Sequence, residues 1–386
     1  MNGYKNKKAP LEGLKVLDLS RFLPGPYCTM LLADLGADVI MIEQPSGSGL
    51  GERRVEFYVF RNKRSIYLDL KDDRGREIFY RLASSSDVIV EGFRPGITEK
   101  LGIDYPSVRK LNKRIIYCSI SGFGQSGPYR DRVGHDINYV ALAGLLSVTG
   151  RKGQGPAIPG TQLGDIGGGS LAAFSILAAV LAREKMGEGQ YIDISMLDSA
   201  IALNPVSYFE YFLRGEVFGQ GGYRLLGSSP CYNLYETKDG KHITIGALEP
   251  KFWKNLCRIL NREDLIERQT ETTDEVFNEV QQIFRSRTQA EWTELLGSEE
   301  VCYAPVLNLR EAIENPQTCH RDMVIDNPAS SKTRPKEIGI VPKFSLTPGQ
   351  IKRPSPVPGQ DTDQVLTEIG VPSSEILKLR SEAIIK

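Results

Sequence analysis

Two short stretches of the sequence carry side chains that could exchange protons with a bound molecule. Residues 134–139 (GHDINY) include His135, one of only three histidines, and residues 164–170 (GDIGGGS) place Asp165 ahead of three glycines. We predict that Asp165 is the N-cap of a helix that continues over residues 171–184, because aspartate is a preferred N-cap residue. The unpaired N–H groups at such a helix start can bind an anion or an oxyanion. If the fold brings His135 and Asp165 together, two proton-carrying groups flank an oxyanion site. The pattern therefore favours an enzyme.

Each of these residues also has a purely structural interpretation. A histidine after a glycine can be a hydrogen-bonded structural residue, and an aspartate before a helix can be a simple cap that contributes about 1 kcal/mol. Glu249 follows a predicted strand over residues 242–245 and can be a surface or capping acid. The functional interpretation gains weight at His135, because catalytic groups are often presented on loops at the strand ends of an α/β scaffold.

The composition indicates a globular protein without a strongly charged surface for a partner. The chain has 386 residues and a formal net charge of zero, from 48 basic and 48 acidic residues. No overall basic field points to nucleic acid or to an anionic membrane, so a phosphate-bearing ligand must be held by local groups. The six cysteines show no C-x-x-C spacing, and we predict reduced thiols without a metal site.

Export and membrane insertion are not predicted. The first ten residues are polar and lysine-rich with no apolar segment after them, so we expect no secretory signal. The longest apolar run, residues 171–182, is too short to cross a bilayer and is predicted to be a buried core helix. We therefore expect a cytoplasmic protein with no membrane partner.

Strands and helices alternate through the first half of the chain, which predicts an α/β fold with a parallel, doubly wound sheet. Ligands usually lie at the carboxyl ends of the strands in such a domain. There is no G-x-G-x-x-G fingerprint after the first strand, which disfavours a nicotinamide or flavin dehydrogenase. The predicted strands cover residues 14–19, 37–42, 65–70, 87–91, 115–121 and 190–195.

Several cations lie near the ends of the early predicted strands and could grip a phosphate. Arg94, in the block EGFRPG, is the most suggestive, because a strand-end arginine before Pro-Gly is well placed for bidentate contacts. The others are Arg61, Lys63 and Arg64, and most such residues are solvated surface charges. The glycine-rich loop over residues 122–128 could also cradle a phosphate, although such a loop alone is a weak signal.

The pattern of predicted strands and helices changes after a polar, glycine-dense segment over residues 214–229. We predict a large α/β domain over residues 1–213, a linker over 214–229 and a small α+β domain over 230–326. The small domain would contain a hairpin with an Asp-Gly turn, followed by amphipathic helices. Residues 327–386 are extended and proline-rich before two short helical stretches, as expected of a segment that wraps over a surface.

Taken together, several blocks make the chain resemble the family III CoA-transferases (CaiB/BaiF type), most closely the α-methylacyl-CoA racemases among them. The blocks include LKVLDLSRFLPGPYCTMLLADLGADVI, KRSIYLDLK, EGFRPG, IIYCSISGFGQSGP, GHDINY, GDIGGGS and GALEPKF. GHDINY is the decisive block, because it is similar to the racemase block that carries a catalytic histidine. Plain CoA-transferases of this superfamily typically share the aspartate and lack that histidine.

The resemblance implies that His135 and Asp165 are the two acid/base residues and that Glu249 partners the histidine. It also implies that the ligand is coenzyme A as part of an acyl-CoA substrate, with no separate cofactor. One departure is Gln44, which stands where racemases often have an arginine for the nucleotide part of CoA, so Arg61, Lys63 or Arg64 is expected to supply that charge. The implied CoA-contacting residues are Tyr67, Leu68, Asp69, Leu70, Arg94, Gly134, Asp136 and Tyr139.

Two reactions remain open on these residues. A racemase removes the proton next to the thioester with one base and returns a proton from the other side, which suits an imidazole and a carboxylate. N–H groups around residues 165–167 would then stabilise the enolate oxygen. A transferase would instead use Asp165 as a nucleophile, through an anhydride and an aspartyl-CoA thioester. A catalytically silent CoA-binding protein is a third, less favoured interpretation.

The resemblance also implies a quaternary structure and a path for the C-terminal segment. Family members form interlocked homodimers, in which the chain returns from the small domain to the large one and the two open rings thread each other. Residues 327–386 would make this return and complete the large domain. Glu249 would then meet His135 and Asp165 of the other chain. The sequence does not identify the acyl group.

Overall fold

The computed structural model describes residues 9–45, 58–326 and 336–386. The first residues of the chain, on which the prediction about a secretory signal partly rests, and residues 327–335 of the predicted return segment therefore lie outside the described residues. By its internal contacts the chain divides into two units. The first consists of the described parts of Met1–Ala143, Thr161–Leu203 and Pro316–Lys386, and the second of Gly144–Gly160 and Asn204–Asn315.

The first unit is built on a six-stranded parallel sheet, which confirms the predicted α/β fold. The strands lie in the order β3-β2-β1-β4-β5-β6. After β3 the chain returns to the other side of β1, so the strand order reverses between β1 and β4. The strands are β1 (Lys15–Asp18), β2 (Asp38–Glu43), β3 (Lys63–Tyr67), β4 (Val88–Glu91), β5 (Ile116–Ser121) and β6 (Tyr191–Ser195).

Helices cover both faces of this sheet, which explains why its inner strands are almost continuously apolar. Leu17 and Ile89 belong to a core on one face, together with α2, α4, α15 and α16. Val16 and Val88 face the opposite side, where α1 and α7 pack. The helices of this unit are α1 (Pro24–Asp34), α2 (Asp73–Ser84), α3 (Ile97–Leu101), α4 (Tyr105–Leu111), α5 (Asp136–Leu142), α7 (Leu163–Met186), α8 (Met196–Ala202), α14 (Pro316–His320), α15 (Thr362–Glu368) and α16 (Ser373–Ser381).

Helix α7 is longer than the sequence predicted. It begins at Leu163 and has 24 residues, so its length and composition would allow it to cross a membrane, a test that core helices of water-soluble proteins also meet. The argument from a short apolar run is therefore wrong, because that run is only the middle of the helix. A Cβ at Gly169 would lie 2.5 Å from the Pro24 carbonyl oxygen, so this glycine lets α7 approach the start of α1 closely.

The second unit is a smaller α+β body. Strand β8 pairs antiparallel with both β7 and β9, and the turn between β7 and β8 contains Gly240 at a φ of 72°. Its core includes Trp253 and Trp292, whose indole N–H groups donate to backbone carbonyls. The elements are α6 (Leu145–Val148), α9 (Pro205–Arg214), β7 (Tyr232–Glu236), β8 (His242–Gly246), α10 (Pro250–Ile259), α11 (Asp274–Phe284), α12 (Gln289–Leu296), β9 (Tyr303–Pro305) and α13 (Leu309–Glu314).

The boundaries of the units differ from the predicted domains. The chain forms two helices, α8 and α9, before the predicted linker, because Pro205 cannot continue a helix and is suited to start one. The predicted linker 214–229 belongs to the second unit, as do residues 144–160, where Ser147 accepts a hydrogen bond from Gln220 at 2.7 Å. Residues 316–326 belong to the first unit.

The C-terminal segment packs on the first unit. Strands β10 (Val324–Asp326) and β11 (Lys336–Ile338) pair antiparallel. The Gln350 N–H donates to the Asp34 carbonyl at 3.0 Å, and the Ser65 N–H donates to the Asp361 carboxylate at 2.9 Å. These contacts tie the C-terminal segment to the end of α1 and to the edge strand β3.

Candidate active site

His135 and Asp165 both line two adjacent cavities in the first unit. The larger cavity, of about 940 Å³, lies at the carboxyl ends of β4 and β5, and the smaller, of about 360 Å³, lies beside the ends of β1 and β2. Ser20 and Phe22, on the loop between β1 and α1, also line both cavities. The imidazole and the carboxylate therefore both border these two cavities, and their acid/base role stays a prediction.

Asp136 caps the helix that carries Asp165. One of its carboxylate oxygens accepts hydrogen bonds from the N–H groups of Gly164, at 2.7 Å, and Asp165, at 3.1 Å. Gln162 is the N-cap of α7 and Asp165 lies in its first turn, so the predicted N-cap role of Asp165 is wrong. The helix begins earlier than predicted because Asp136 satisfies N–H groups that would otherwise be unpaired.

The same contacts correct the expected oxyanion site. The N–H groups of Gly164 and Asp165 are taken by Asp136, and that of Ile166 donates to Gln162. These groups are therefore not available to an enolate oxygen. Asp136 instead connects the helix that follows His135 to the helix that carries Asp165, and so fixes the two candidate acid/base residues relative to each other.

Asp165 is poised to titrate near neutral pH. Partial burial, and to a smaller extent repulsion from the Asp136 carboxylate, raises the pKa of the Asp165 carboxyl from the ordinary 3.8 to about 7. A carboxyl with such a pKa can both accept and donate a proton at neutral pH, which is the property that a general acid/base needs. The burial of Tyr139, with smaller contributions from Asp165 and Asp136, raises the pKa of its hydroxyl to about 12.

Replacing Asp136 with asparagine should lower the pKa of Asp165. The amide oxygen can still accept from both N–H groups, but the like charge is gone. A raised folded-state pKa stabilises the protein at low pH and loses this contribution as pH rises towards 7, so the loss should be complete at a lower pH in the variant. The ¹³C chemical shift of the Asp165 carboxyl, followed against pH, checks this; an unchanged midpoint would mean that Asp136 does not tune Asp165.

His135 is the N-cap residue of α5 and its side chain is exposed to the cavities. The backbone N–H of His135 donates to the Asn138 side-chain oxygen at 3.0 Å, which caps the start of α5. Tyr139, on the same helix, is buried and its hydroxyl donates to the Gly134 carbonyl at 2.6 Å. The ring of Tyr139 lies so close to Gly122 and Gly134 that a Cβ at either position would come within 2.8 Å of it.

The larger cavity carries cations and an unsatisfied hydroxyl. Arg94, Arg130 and Arg132 line it, and no carboxylate pairs with Arg94 among the described residues. The Ser121 hydroxyl is buried at the end of β5 and has no hydrogen-bond partner in the described part of the chain. Buried polar groups are normally satisfied, so this hydroxyl is suited to a polar group of a ligand. Arg94 and Gly134 thus line the same cavity as His135, and their contact with coenzyme A stays a prediction.

Three cations were expected from the sequence to supply the positive charge that Gln44 lacks, but all three pair with acidic side chains of this chain. Arg61 is buried and pairs with Asp34 at 2.6 Å, and Lys63 is fully buried and pairs with Asp18 at 3.1 Å. Arg64 pairs with two carboxylates, at 2.5 and 2.6 Å. None of the three lines either cavity, so this expectation is wrong. Their partners come from distant parts of the sequence, which no local pattern reveals.

Other predicted residues lie outside the two cavities. Tyr67, Leu68, Asp69 and Leu70 line neither cavity, and the side chains of Leu68 and Leu70 are buried in the core of the first unit. Glu249 belongs to the second unit, where it is the N-cap residue of α10. Among residues 9–45, 58–326 and 336–386, no cluster of histidine, cysteine or acidic side chains could hold a metal ion.

Comparison with known proteins places this arrangement in a family. A family model described as CoA-transferase family III matches residues 11–362. The chain belongs to CoA-transferase family III. It is 35% identical over 380 residues to the α-methylacyl-CoA racemase of Homo sapiens, and the alignment covers 97% of each chain. It is 32% identical over 383 residues to the succinyl-CoA:glutarate CoA-transferase of Homo sapiens, covering 94% of this chain and 87% of the relative.

A solved structure has the same fold. The crystal structure of a CAIB/BAIF family protein from Brucella suis superposes with a TM-score of 0.83 at 25% identity, covering 94% of this chain and all of the other. The family III assignment and its central parallel sheet are therefore confirmed, and the protein is an enzyme of this family. Racemases and CoA-transferases are both among the relatives at similar identity, so family membership alone does not select the reaction.

Proposed function

We propose that this protein is a racemase of 2-methylacyl-CoA thioesters that works by two-base proton transfer. The observation that carries the proposal is the position of His135 and Asp165, which line the same two cavities and differ in chemical type. A racemase needs a proton acceptor on one side of the substrate carbon and a proton donor on the other. The Asp165 carboxyl, with a pKa of about 7, can take up or release a proton near neutral pH. An imidazole is the commonest side chain for the other proton transfer.

The proposed reaction proceeds through an enolate. One residue removes the proton from C2, and the C–H electron pair becomes the C1–C2 double bond while the carbonyl electron pair moves to the thioester oxygen. The other residue then gives its proton to the opposite face of C2, and the carbonyl re-forms. The two residues exchange roles in the reverse direction. The proton that arrives is not the one that left, so it can come from solvent by way of the donor residue.

Coenzyme A would bind at the carboxyl edge of the sheet. The larger cavity offers three arginines and the free Ser121 hydroxyl, while the walls of the smaller one include Leu23, Met41 and Phe60. Because the chain has no net charge, these local cations would hold the phosphates. The coenzyme is proposed as part of the acyl-CoA substrate, and no separate cofactor enters the reaction.

CoA transfer is the second candidate, and the half-buried Asp165 carboxyl favours it. In that reaction the ionised carboxylate would attack the thioester carbonyl, and the C–S bond would break to release CoA thiolate and leave an acyl-aspartyl anhydride. The thiolate would then attack the aspartyl carbonyl, which forms an aspartyl-CoA thioester and releases the first acid as its carboxylate. The acceptor carboxylate would run the same two steps in reverse, leave as the new acyl-CoA and free Asp165. The reaction would use Asp165 without His135, which is why variants of the two residues can separate the candidates.

A homodimer is part of the proposal. Two apolar side chains of α7, Phe174 and Leu181, are 69% and 68% exposed, which is unusual for such large side chains on a helix with a long apolar sequence. A second copy of the chain, in the interlocked arrangement implied by the family, would cover this face. Glu249 of the partner subunit would then act with His135.

Replacing Leu181 with glutamate should disrupt the homodimer, because a charge in an apolar interface must be desolvated without a partner. Sedimentation velocity of the variant should show a monomer where the unmodified protein is a dimer. Leu377→Glu is the matched control, because Leu377 on α16 is also 68% exposed. A dimer that survives in Leu181→Glu would place the interface elsewhere.

The direct assay uses one enantiomer of a 2-methylacyl-CoA. Hydrolysis after incubation, followed by chiral chromatography of the acid, should show the approach to a racemic mixture. A parallel reaction with a labelled free carboxylic acid tests transfer, which would move the label into the thioester. Label in the thioester with retained configuration would overturn the racemase proposal in favour of the transferase.

A further inference from the structure

The two cavities share one wall, which consists of residues 20–26 in the loop between β1 and α1 and at the start of α1. We call this segment the wall loop. Each of its residues lines at least one cavity, and Ser20 lines both. The segment is folded tightly, because a Cβ at Gly25 would lie 2.2 Å from the Cβ and from the hydroxyl oxygen of Ser20. The conformation of the wall loop therefore shapes the space that His135 and Asp165 border.

A fully buried ion pair lies behind this wall. Asp18 is the last residue of β1 and Lys63 is the first residue of β3, and the ammonium lies 3.1 Å from the carboxylate. Both side chains are 0% exposed, and neither residue lines a cavity. The proposed acid/base chemistry uses neither of them. Because β2 lies between their two strands, the pair forms only when the sheet is folded.

The ion pair binds both ends of the wall loop. One carboxylate oxygen of Asp18 accepts hydrogen bonds from the N–H of Ser20, at 3.0 Å, and from the Ser20 hydroxyl, at the start of the loop. The Lys63 ammonium donates to the Pro26 carbonyl, at 2.8 Å, at its end. The Thr29 hydroxyl, further along α1, donates to Asp18 and accepts from Lys63 at 2.6 Å. Together with the bond to Asp18, these contacts use all three N–H groups of the ammonium.

Stability alone does not require charges at these two positions. A buried ion pair loses the hydration of both charges, and its replacement by well-packed apolar side chains is often neutral for stability. Apolar side chains, however, have no donor for the Pro26 carbonyl and no acceptor for the Ser20 N–H. Directional bonds of this kind hold a binding segment in one conformation before a ligand arrives.

We infer that the Lys63–Asp18 pair positions the wall loop for the substrate, so that Lys63 is a positioning residue of the active site although it lines neither cavity. The inference rests on the proposed function only in taking an acyl-CoA as the ligand. A preformed wall spares the ligand the entropy cost of ordering the loop when it binds. Without the pair, the loop samples further conformations, and the ligand must select one of them.

The experiment removes both charges at once. Asp18→Asn/Lys63→Met nearly keeps the size of the side chains and leaves no charge buried alone, so its midpoint of denaturant unfolding should stay close to that of the unmodified protein. The amide can still accept from Ser20, but the Pro26 carbonyl loses its donor. Titration calorimetry should show CoA binding that is about tenfold weaker, because ordering one loop residue opposes binding by roughly that factor. A purely structural pair would instead leave the affinity unchanged once stability is retained.

A matched control removes another buried ion pair. The Arg183 side chain on α7 is 6% exposed and pairs at 3.0 Å with Asp87, which precedes β4 at the amino end of the strands. Neither residue lines either cavity. Asp87→Asn/Arg183→Met should therefore bind CoA like the unmodified protein. Equal weakening in the two double variants would show a general effect of losing buried charges and would overturn the inference.

Thr29→Val is a second variant that keeps both charges paired. It removes the hydroxyl that bridges Asp18 and Lys63 and nearly keeps the shape of the side chain. CoA binding should weaken by about threefold, the loss of a single hydrogen bond in the network. If the double variant does not fold, this variant decides, and unchanged CoA affinity in Thr29→Val would overturn the inference.

Hydrogen exchange of the free protein separates this inference from the proposed function. The N–H groups of Ser20 and Tyr27 donate to Asp18 and to the Leu23 carbonyl, and both should exchange about tenfold faster in Asp18→Asn/Lys63→Met, whereas those of β5 should not change. Unchanged exchange at both groups, or unchanged CoA affinity in the folded double variant, would overturn the inference. If the unmodified protein binds no CoA, the proposed function fails, and the exchange rates alone decide whether the pair holds the wall loop.

Discussion

Replacing Asp165 with asparagine should abolish both racemisation and CoA transfer, by about 10³-fold or more in kcat. Asparagine can neither take up nor release a proton in this role, and it cannot act as the carboxylate nucleophile of a transferase. The side chain keeps its size, and the N–H groups at the start of α7 keep their bonds to Asp136. The rate of loss of configuration from a single enantiomer measures the first activity, and label transfer from a free acid measures the second.

The same substitution should make the protein more stable, and by more at pH 8 than at pH 5. The folded-state pKa of about 7 lies above the ordinary 3.8, so the free-energy cost of this carboxyl to the folded protein grows as pH rises from 3.8 and is complete above pH 7, whereas asparagine carries no such cost. We expect a gain of about 1 kcal/mol in the free energy of unfolding at pH 8, typical when a functional group held in an unfavourable setting is removed.

A matched control isolates this effect. Asp198 is an exposed acid in the first turn of α8, so Asp198→Asn removes a charge from a similar helix position without the burial or the neighbouring carboxylate. Denaturant titrations of both variants at the two pH values give the comparison. If Asp165→Asn keeps full activity, or is destabilised at pH 8, Asp165 is not the half-buried acid/base that we describe.

Replacing His135 with glutamine should abolish racemisation, again by about 10³-fold, and spare any transfer that Asp165 performs. Without the imidazole the second face of the substrate carbon has no proton carrier, whereas nucleophilic attack by Asp165 needs none. His135 is exposed at the start of α5, so the fold should tolerate the change. His320→Gln, an exposed histidine on α14, is the control and should behave like the unmodified protein.

The variant therefore separates the two reactions. If His135→Gln loses racemisation and keeps transfer, both reactions use the same site and only racemisation needs the imidazole. Racemisation retained in His135→Gln would contradict the two-base account directly. Equal loss of racemisation in His320→Gln would indicate that the assay reports a general loss of folded protein.

The strands and the family were predictable because their signals are local. The runs around β1, β2 and β4 are almost wholly apolar, as expected of strands covered on both faces, and GHDINY and GDIGGGS are contiguous blocks. The break between α8 and α9 is also visible in the sequence, because Pro205 cannot continue a helix. The central sheet and the meeting of His135 with Asp165 follow from such signals.

The capping of α7 and the ion pairs of Arg61, Lys63 and Arg64 depend on tertiary contacts that no local pattern shows. Asp136 was taken for a CoA contact because it stands in the racemase-like block, yet its carboxylate bonds to the start of α7. Arg61 looked available because its partners, Asp34 and Glu337, lie far from it in the sequence. Arg21 lines the smaller cavity and was overlooked, although it stands just after the first strand, in the loop before α1.

Proton exchange at the substrate carbon tests the central claim most directly. A single enantiomer of a 2-methylacyl-CoA, incubated with the protein in heavy water, should gain one deuterium at C2 as it loses its configuration, and both changes should vanish in Asp165→Asn and His135→Gln. Mass spectrometry gives the first and chiral chromatography the second. Intact configuration with no deuterium at C2, for substrates of several chain lengths, would contradict the racemase account.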